Sequence, residues 1–268
     1  NYAGVLALLL TAAYLCTAWA MAFHVRQVDY TVATQKPVGS LRVALIADSH
    51  IGTTFSGTEF AKQLQRIEDQ NPDVLVIAGD YVDESTSRKD MEDACRALGQ
   101  MHTAYGIYYV LGNHDWGYYT NRRDFSGEDL VAALEENGVT VLQDDWRVLR
   151  RGEDALIVAG TDDPCGPAER KTPAELIADI RAEAGEAAFL LLLTHRNDQL
   201  PQWSALGVQA VLAGHCHGGV VRLPFVGGLF GTDRRLFPAW DAGLYRQGET
   251  VLYVSRGLGY TNVHFRLF

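Results

Sequence analysis

The chain is short of positive charge. It carries 23 Lys and Arg against 33 Asp and Glu, a formal net charge of −10 over 268 residues. Proteins that grip nucleic acid non-specifically use clustered basic residues against the phosphate backbone. With the balance tipped the other way, binding of a nucleic acid duplex is not expected. An acidic protein can still bind a phosphate if it first binds metal cations, which reverse the local charge. Cysteine is scarce as well. Cys16, Cys95, Cys165 and Cys216 are widely spaced and form no CxxC pair. Neither a disulfide framework nor a zinc ribbon is therefore expected. Internal repeats and low-complexity tracts are also missing.

Charge of either sign is absent from residues 1–23, "NYAGVLALLLTAAYLCTAWAMAF". As a helix this segment would span roughly 34 Å, against a hydrocarbon core of about 30 Å. A membrane anchor is the leading expectation, followed by a linker over 24–40. Two alternatives stand beside it: a signal peptide, since "AWA" and "AMA" resemble small-residue cleavage sites, and a buried core helix. Arg26, Lys36 and Arg42 follow the segment and weigh toward a cytoplasmic domain.

What the chain does have is apolar residues, 47 % of the total, enough for one large core or two small ones. From residue 41 onward, short apolar runs alternate with helix-like segments. "LRVALIA", "DVLVIAG", "IYYVLG", "ALIVAG", "FLLLLTH" and "VQAVLAGH" read as buried strands. Residues 59–70, 88–101, 128–137 and 173–184 read as helices, the last with Thr172 as its cap and Pro173 in its first turn. Residues 243–257 read as a hairpin across Gln247-Gly248. The alternation predicts one α/β domain with central sheets and outer helices.

The polar residues gather where the strands end. Asp48 and His50 follow the first run, Asp80 the second, Asn113 and His114 the third. His195 follows "LLLLT", and His215 and His217 follow "AVLAG". Sites in α/β sheets form at the carboxyl ends of strands, so these groups are expected to converge. Carboxylate and neutral imidazole are ligands for Mn, Fe, Zn and similar divalent ions. Seven such side chains are too many for one ion. They suit two ions that share a carboxylate, held about 3.5–4 Å apart as in two-metal hydrolases. Residues two apart in an extended segment point the same way, so His215 and His217 are both expected to face the site. Cys216 between them is expected to point away, a thiolate ligand being the alternative.

In order and spacing, "DSH" (48–50), "GDYVD" (79–83), "GNHD" (112–115), "TH" (194–195) and "GHCH" (214–217) resemble the calcineurin-like metallophosphoesterase signature. "GTDDP" (160–164), "GHCHGGVVRLP" (214–224) and "SRGLGY" (255–260) resemble its bacterial, membrane-associated YaeI/YkuE-like branch. The resemblance covers residues 41–268, nearly all of the chain beyond the apolar segment. It implies a four-layer αββα sandwich of two mixed β-sheets. It also implies two divalent metal ions: Mn, Fe or Zn, with Mn favoured. Asp48, His50, Asp80 and His217 would hold the first ion. Asp80, Asn113, His195 and His215 would hold the second, with Asp80 as the bridge. A metal-activated hydroxide would attack phosphorus in line. His114 would protonate the leaving oxygen, oriented by Asp83, with Asp115 as the rival partner.

One departure bears on the substrate. The Ser/Thr protein phosphatases of the family follow "GDYVD" with Arg-Gly, and that Arg clamps phosphate. Here Glu84 and Ser85 stand instead. The expected substrate is therefore a phosphodiester or pyrophosphate, with Arg196, Arg222 and Arg256 as candidate replacement clamps. The apolar stretch "LPFVGGLFG" (223–231) starts six residues after His217. Either it turns into the core, or it lies exposed beside the metals and favours a lipid-linked pyrophosphate such as a UDP-diacylglucosamine-type molecule. Exported relatives of the branch weigh against the cytoplasmic placement, so the expectation is membrane association with the face open. A non-catalytic metal-binding scaffold and a hydrolase of soluble diesters are the competing functions.

Overall fold

Each buried strand divides its side chains between two cores. In the second strand, Val74 and Val76 enter one core while Leu75 and Ile77 enter another. That is the period of two that a pleated strand imposes, and it explains why these runs are apolar throughout. The computed structural model describes residues 2–22, 24–117, 119, 123–152, 154–166, 170–223 and 225–260. Residues 1 and 23 of the apolar segment, Pro224 and residues 261–268 of the expected domain lie outside the described residues.

Two sheets face each other. The first contains β1 (Val43–Ile46), β2 (Val74–Ala78), β3 (Ile107–Val110) and β4 (Thr140–Val141), in that order and all parallel. In the second, β6 (Asp154–Gly160), β7 (Phe189–Leu193), β8 (Ala210–Ala213) and β12 (Thr250–Val254) are parallel. Its edges are the antiparallel β5 (Asp145–Arg151) and β11 (Gly243–Gln247). Between the sheets, Val74, Val76, Tyr108 and Val110 meet Val158, Leu191, Leu193 and Leu212. On the outer face of the first sheet lie α2 (Gly57–Glu68), α3 (Arg88–Gly99) and α4 (Gly127–Glu136). On that of the second lie α5 (Pro173–Ala184) and α6 (Leu200–Ala205). The architecture is the expected four-layer sandwich, with the difference that only the second sheet is mixed and the first is parallel throughout its described strands. Its helices begin where the sequence marks them: Ser56, Ser126 and Thr172 form capping boxes with Glu59, Asp129 and Glu175.

Residues 24–40 lie against the domain. Val25 packs on the core of the first sheet, Tyr30 meets the Tyr253 ring edge-on at 5.1 Å, and Val38 reaches the core between the sheets. The apolar segment forms α1 (Tyr2–Ala22), the one described helix long and apolar enough to cross a membrane by length and composition. Val5, Leu8 and Trp19 on it are exposed, so α1 is no part of the core that the described residues form. The apolar glycine-rich stretch does not turn into the core. It forms a hairpin of β9 (Val221–Leu223) and β10 (Gly227–Phe230), with Val221, Leu223, Phe225 and Val226 exposed and Leu229 and Phe230 half-buried.

Leu193 sits fully buried between the sheets. Leu193→Ala should lower stability by about 2–5 kcal/mol through lost burial and the cavity left behind. Denaturant titration should show a lower midpoint at unchanged slope.

Candidate metal centre

The strands end in turns of an uncommon kind. Asp48, His50, Asp80, His215 and His217 all have left-handed backbones, with φ of 51°, 44°, 50°, 70° and 52°. This conformation costs a non-glycine residue roughly 1–2 kcal/mol, and such strain clusters at functional sites. It also corrects the expectation of an extended segment at 215–217. His215 and His217 reach the site from a tight left-handed turn beyond β8, not from a continued strand. The turns support one another. The Asp48 N–H donates to Gly79 O at 2.9 Å, the His50 N–H to Asp80 O at 3.2 Å, and the Gly214 N–H to His195 O at 3.2 Å. Gly79 has φ +80°, and a Cβ there would come within 2.5 Å of His195 Nδ1. Only glycine lets the first sheet approach that imidazole so closely.

The donor atoms converge in two groups, each within 4.8 Å across. One comprises Asp48, His50 and His217; the other comprises Asp80, His195 and His215. His50 Nε2 faces His217 Nε2 at 3.3 Å, and His195 Nε2 faces His215 Nδ1 at 3.1 Å and Asp80 Oδ2 at 3.1 Å. His195 Nδ1 donates to Ala78 O at 2.8 Å. That bond leaves Nε2 as the atom turned to the cluster, where it would ligate an ion once its proton is lost, the arrangement of a ligating histidine. Asn113 is 1 % exposed, and neither its amide oxygen nor its nitrogen has a hydrogen-bond partner. An orphaned buried amide is costly, and a divalent ion beside its oxygen would remove that cost. The donor set, carboxylate with imidazole and amide and no thiolate, suits hard to borderline divalent ions. The residues fit the two ions expected of them.

The electrostatics point the same way. Burial and neighbouring imidazoles hold His50 and His215 well below the usual histidine range, as bare ligands. Burial pushes Asp48 up to about 7, with Asp80 adding to it and His195 opposing. His195 is pushed up to about 10, because Asp80, Asp48 and Asp163 outweigh the cost of burying its charge. Two carboxylates and four imidazoles are thus packed where a cation would satisfy all of them.

The partner of His114 differs from both carboxylates expected. His114 Nδ1 lies 2.8 Å from Glu84 Oε2. Asp83 faces the other way, accepting from Thr53 Oγ1 at 2.7 Å and the Ser85 N–H at 2.8 Å, with His50 Nδ1 at 3.6 Å. Asp115, the rival, is fully occupied by backbone N–H groups of residues 80–82 and 112 and by the Tyr109 hydroxyl. The sequence places Glu84 in plain view, but the turn after β2 decides which of two adjacent carboxylates reaches the imidazole. Two further groups escaped sequence reading. Arg123 donates to the carbonyls of His114 and Asp115 and so braces their turn. Asp163 holds Arg196 in a two-point ion pair at 2.6 and 3.0 Å, while Arg196 Nη1 approaches His215 Nε2 at 2.9 Å. Arg222 is paired with Asp241 at 2.5 Å. Cys216 is buried in the core of the second sheet, and burial pushes its thiol up to about 11. It points away from both groups.

The calcineurin-like phosphoesterase family model matches residues 41–219. A Danio rerio transmembrane protein with a metallophosphoesterase domain is 31 % identical, covering 90 % of this chain and 54 % of that protein. A Campylobacter jejuni metallophosphoesterase is 28 % identical over 91 % of this chain and 60 % of its own length. The chain thus spans little more than half of these two relatives. The metallophosphoesterase YkuE of Bacillus subtilis is 25 % identical over 84 % of this chain and 74 % of its own. Among solved structures, the NAD nucleotidase of Haemophilus influenzae shares the fold. Its TM-score is 0.50 at 13 % identity, over 82 % of this chain and 45 % of that one.

The protonation of the ligands yields a test. At neutral pH and without ions, His195 carries a proton and Asp48 is partly protonated. An ion needs both groups bare. Loading Mn²⁺ should therefore release protons, and affinity should fall as pH drops from about 8 to about 6. Calorimetric titration in buffers of different ionisation enthalpy reads the proton count. Binding with no proton release would contradict the ligand assignment.

Proposed function

The chain belongs to the calcineurin-like phosphoesterase family, and from that premise we propose that it is a two-metal phosphohydrolase acting on a phosphodiester or pyrophosphate. The observation that carries this reading is the pair of donor groups with the His114 imidazole at their edge. The His114 ring lies edge-on to His50, with centroids 5.1 Å apart. In this reading Asp48, His50 and His217 hold one ion. Asn113, His195 and His215 hold the other, and Asp80 bridges the two. Two bound divalent ions supply Lewis acidity, neutralising phosphoryl charge and activating water. Mn²⁺ is the ion we favour for the carboxylate and amide oxygens, while the imidazoles suit Fe and Zn as well.

The protein's own groups supply the rest. Glu84 holds His114 Nδ1, which leaves Nε2 as the atom that gives its proton to the leaving oxygen. Burial alone would lower the pKa of His114, but Glu84, Asp80 and Asp83 raise it overall. His114 is thereby kept as an acid near neutral pH. Asp83 lies behind His50, its carboxylate 3.6 Å from Nδ1, and not against His114.

The charge balance supports a diester or pyrophosphate over a monoester dianion. Glu84 spends its charge on His114, so the pair offers no net cation to the phosphate. Arg196 and Arg222 are each committed to a carboxylate. Within that class we favour a lipid-linked substrate. The support is the exposed apolar hairpin immediately downstream of His217 and the apolar α1, and with them we favour membrane association of the chain.

His114→Asn should keep both ions and lose on the order of 10²–10⁴ in kcat on a dialkyl-type diester. The loss should shrink on bis-(p-nitrophenyl) phosphate, whose leaving group needs no proton. Glu84→Gln removes a carboxylate that raises the imidazolium pKa, so the basic limb of the pH–rate profile should move to lower pH. Equal losses on the two substrates would contradict the acid role of His114.

A further inference from the structure

Apart from α1 and from Val28, Tyr30 and Tyr119, the exposed large apolar side chains among the described residues gather on one small element. Val221, Leu223, Phe225 and Val226 on the β9–β10 hairpin, with Leu236 and Phe237 just beyond it, are each at least 40 % exposed, and Phe225 is wholly so. Scattered exposed apolar residues are ordinary, but a contiguous patch marks an interaction surface. Backbone and side-chain bonds join the element to its neighbours. Phe230 bridges to Leu236, and the Phe237 N–H donates to Leu229 O at 2.9 Å, so both segments belong to one strip. Asp241 ties the strip down, accepting from the Gly228 N–H at 2.7 Å, from Arg222 and from the Tyr245 hydroxyl at 2.7 Å. Phe225 and Phe237 have left-handed backbones, with φ of 63° and 52°. Bulky aromatic residues rarely adopt that geometry, and here it turns two rings outward.

Three observations identify the occupant of this surface. Asp233, Arg234 and Arg235, all exposed, stand between Phe230 and Leu236; Asp233 faces Arg235 at 3.7 Å, and Arg234 leaves the rim of the apolar strip with a net positive charge. The strip stands at the metal centre: a Cβ on Gly219, two residues after His217, would lie 2.9 Å from Gly228 Cα. The chain leaving α1 arrives at the same end of the sheets. Tyr30 packs at the carboxyl end of β12, and Arg26, like Arg222, is near enough to Arg256 to repel it. An apolar wedge with a basic rim, beside a helix of bilayer-spanning length, matches the interface of an anionic membrane.

We propose that the β9–β10 hairpin and the 234–237 segment form a wedge that inserts into the surface of an anionic phospholipid bilayer, with the metal centre opening at headgroup level. The wedge recognises acyl chains through its aromatic tip and lipid phosphates through Arg234 and Arg235. It does so whether or not the substrate is itself a lipid.

The test uses the full chain reconstituted in vesicles of phosphatidylcholine and phosphatidylglycerol with brominated acyl chains. Phe225→Trp adds an indole at the tip, and its emission is read as the difference from the unsubstituted chain, which cancels the signal of Trp19 in α1. Phe225 makes no core contact, so the substitution leaves the fold intact. The added emission should be quenched. Omitting phosphatidylglycerol, or replacing both arginines with Arg234→Gln and Arg235→Gln, should weaken the quenching. An added indole that stays unquenched overturns the proposal, whether the tip faces water or a second copy of the chain. Turnover is not read, so this result and that of the hydrolysis assays stand or fall separately.

Discussion

One buried carboxylate holds the centre of this structure together. Asp115 accepts hydrogen bonds from the backbone N–H groups of Asp80, Tyr81, Val82 and Gly112 and from the Tyr109 hydroxyl. These donors come from the turn after β2 and from β3 with the turn that follows it. A carboxylate with five donors is well satisfied even at full burial, whereas each of the N–H groups would be orphaned without it. The bonds hold Asp80 in its left-handed conformation, from which its own carboxylate accepts the His114 N–H at 2.9 Å and meets His195. Asp115 contributes no ligand atom to either donor group. Its work is to keep neighbouring turns in register so that the ligands they carry meet.

Burial then makes the site selective for cations. Asp48, His50, Asp80, Asn113 and His195 are all within 1 % of complete burial. A charge enclosed in this way is expensive unless paired or bound to metal. The chain concentrates carboxylates, bare imidazole lone pairs and an unpartnered amide in one volume, and two divalent ions answer all of these at once. This also reconciles an acidic protein with a phosphate ester. In the proposed reading, the attraction for phosphate would arise from ions held at the strand ends, not from the surface.

The sandwich and the convergence of the candidate donors were legible because both rest on patterns local in sequence. Unbroken apolar runs mark strands buried on both faces, and polar residues directly after them mark the carboxyl ends. What escaped depends on backbone angles and on contacts between distant segments. His215 and His217 reached their two groups as expected, but through a left-handed turn that spacing alone does not reveal. Asp83 and Glu84 are chemically alike and adjacent, and the turn after β2 sends one behind His50 and the other to His114. Arg123 and Asp163 act through partners 8 to 33 residues away, which no single-sequence pattern connects. The hairpin at 221–230 was legible as unusual but not in its direction. An apolar, glycine-rich run fits a buried strand as well as an exposed wedge, and the Asp241 tether that decides between them lies outside the run.

The claim at the centre is that Asp80 is shared between two ions. Metal analysis after saturation with Mn²⁺ and removal of free ion tests it most directly, on the unsubstituted chain and on Asp80→Asn, with circular dichroism to establish that the variant is folded. The unsubstituted chain should retain about two ions per molecule, and Asp80→Asn should retain fewer than one while staying folded. A folded Asp80→Asn chain that still holds both ions would contradict the shared bridge.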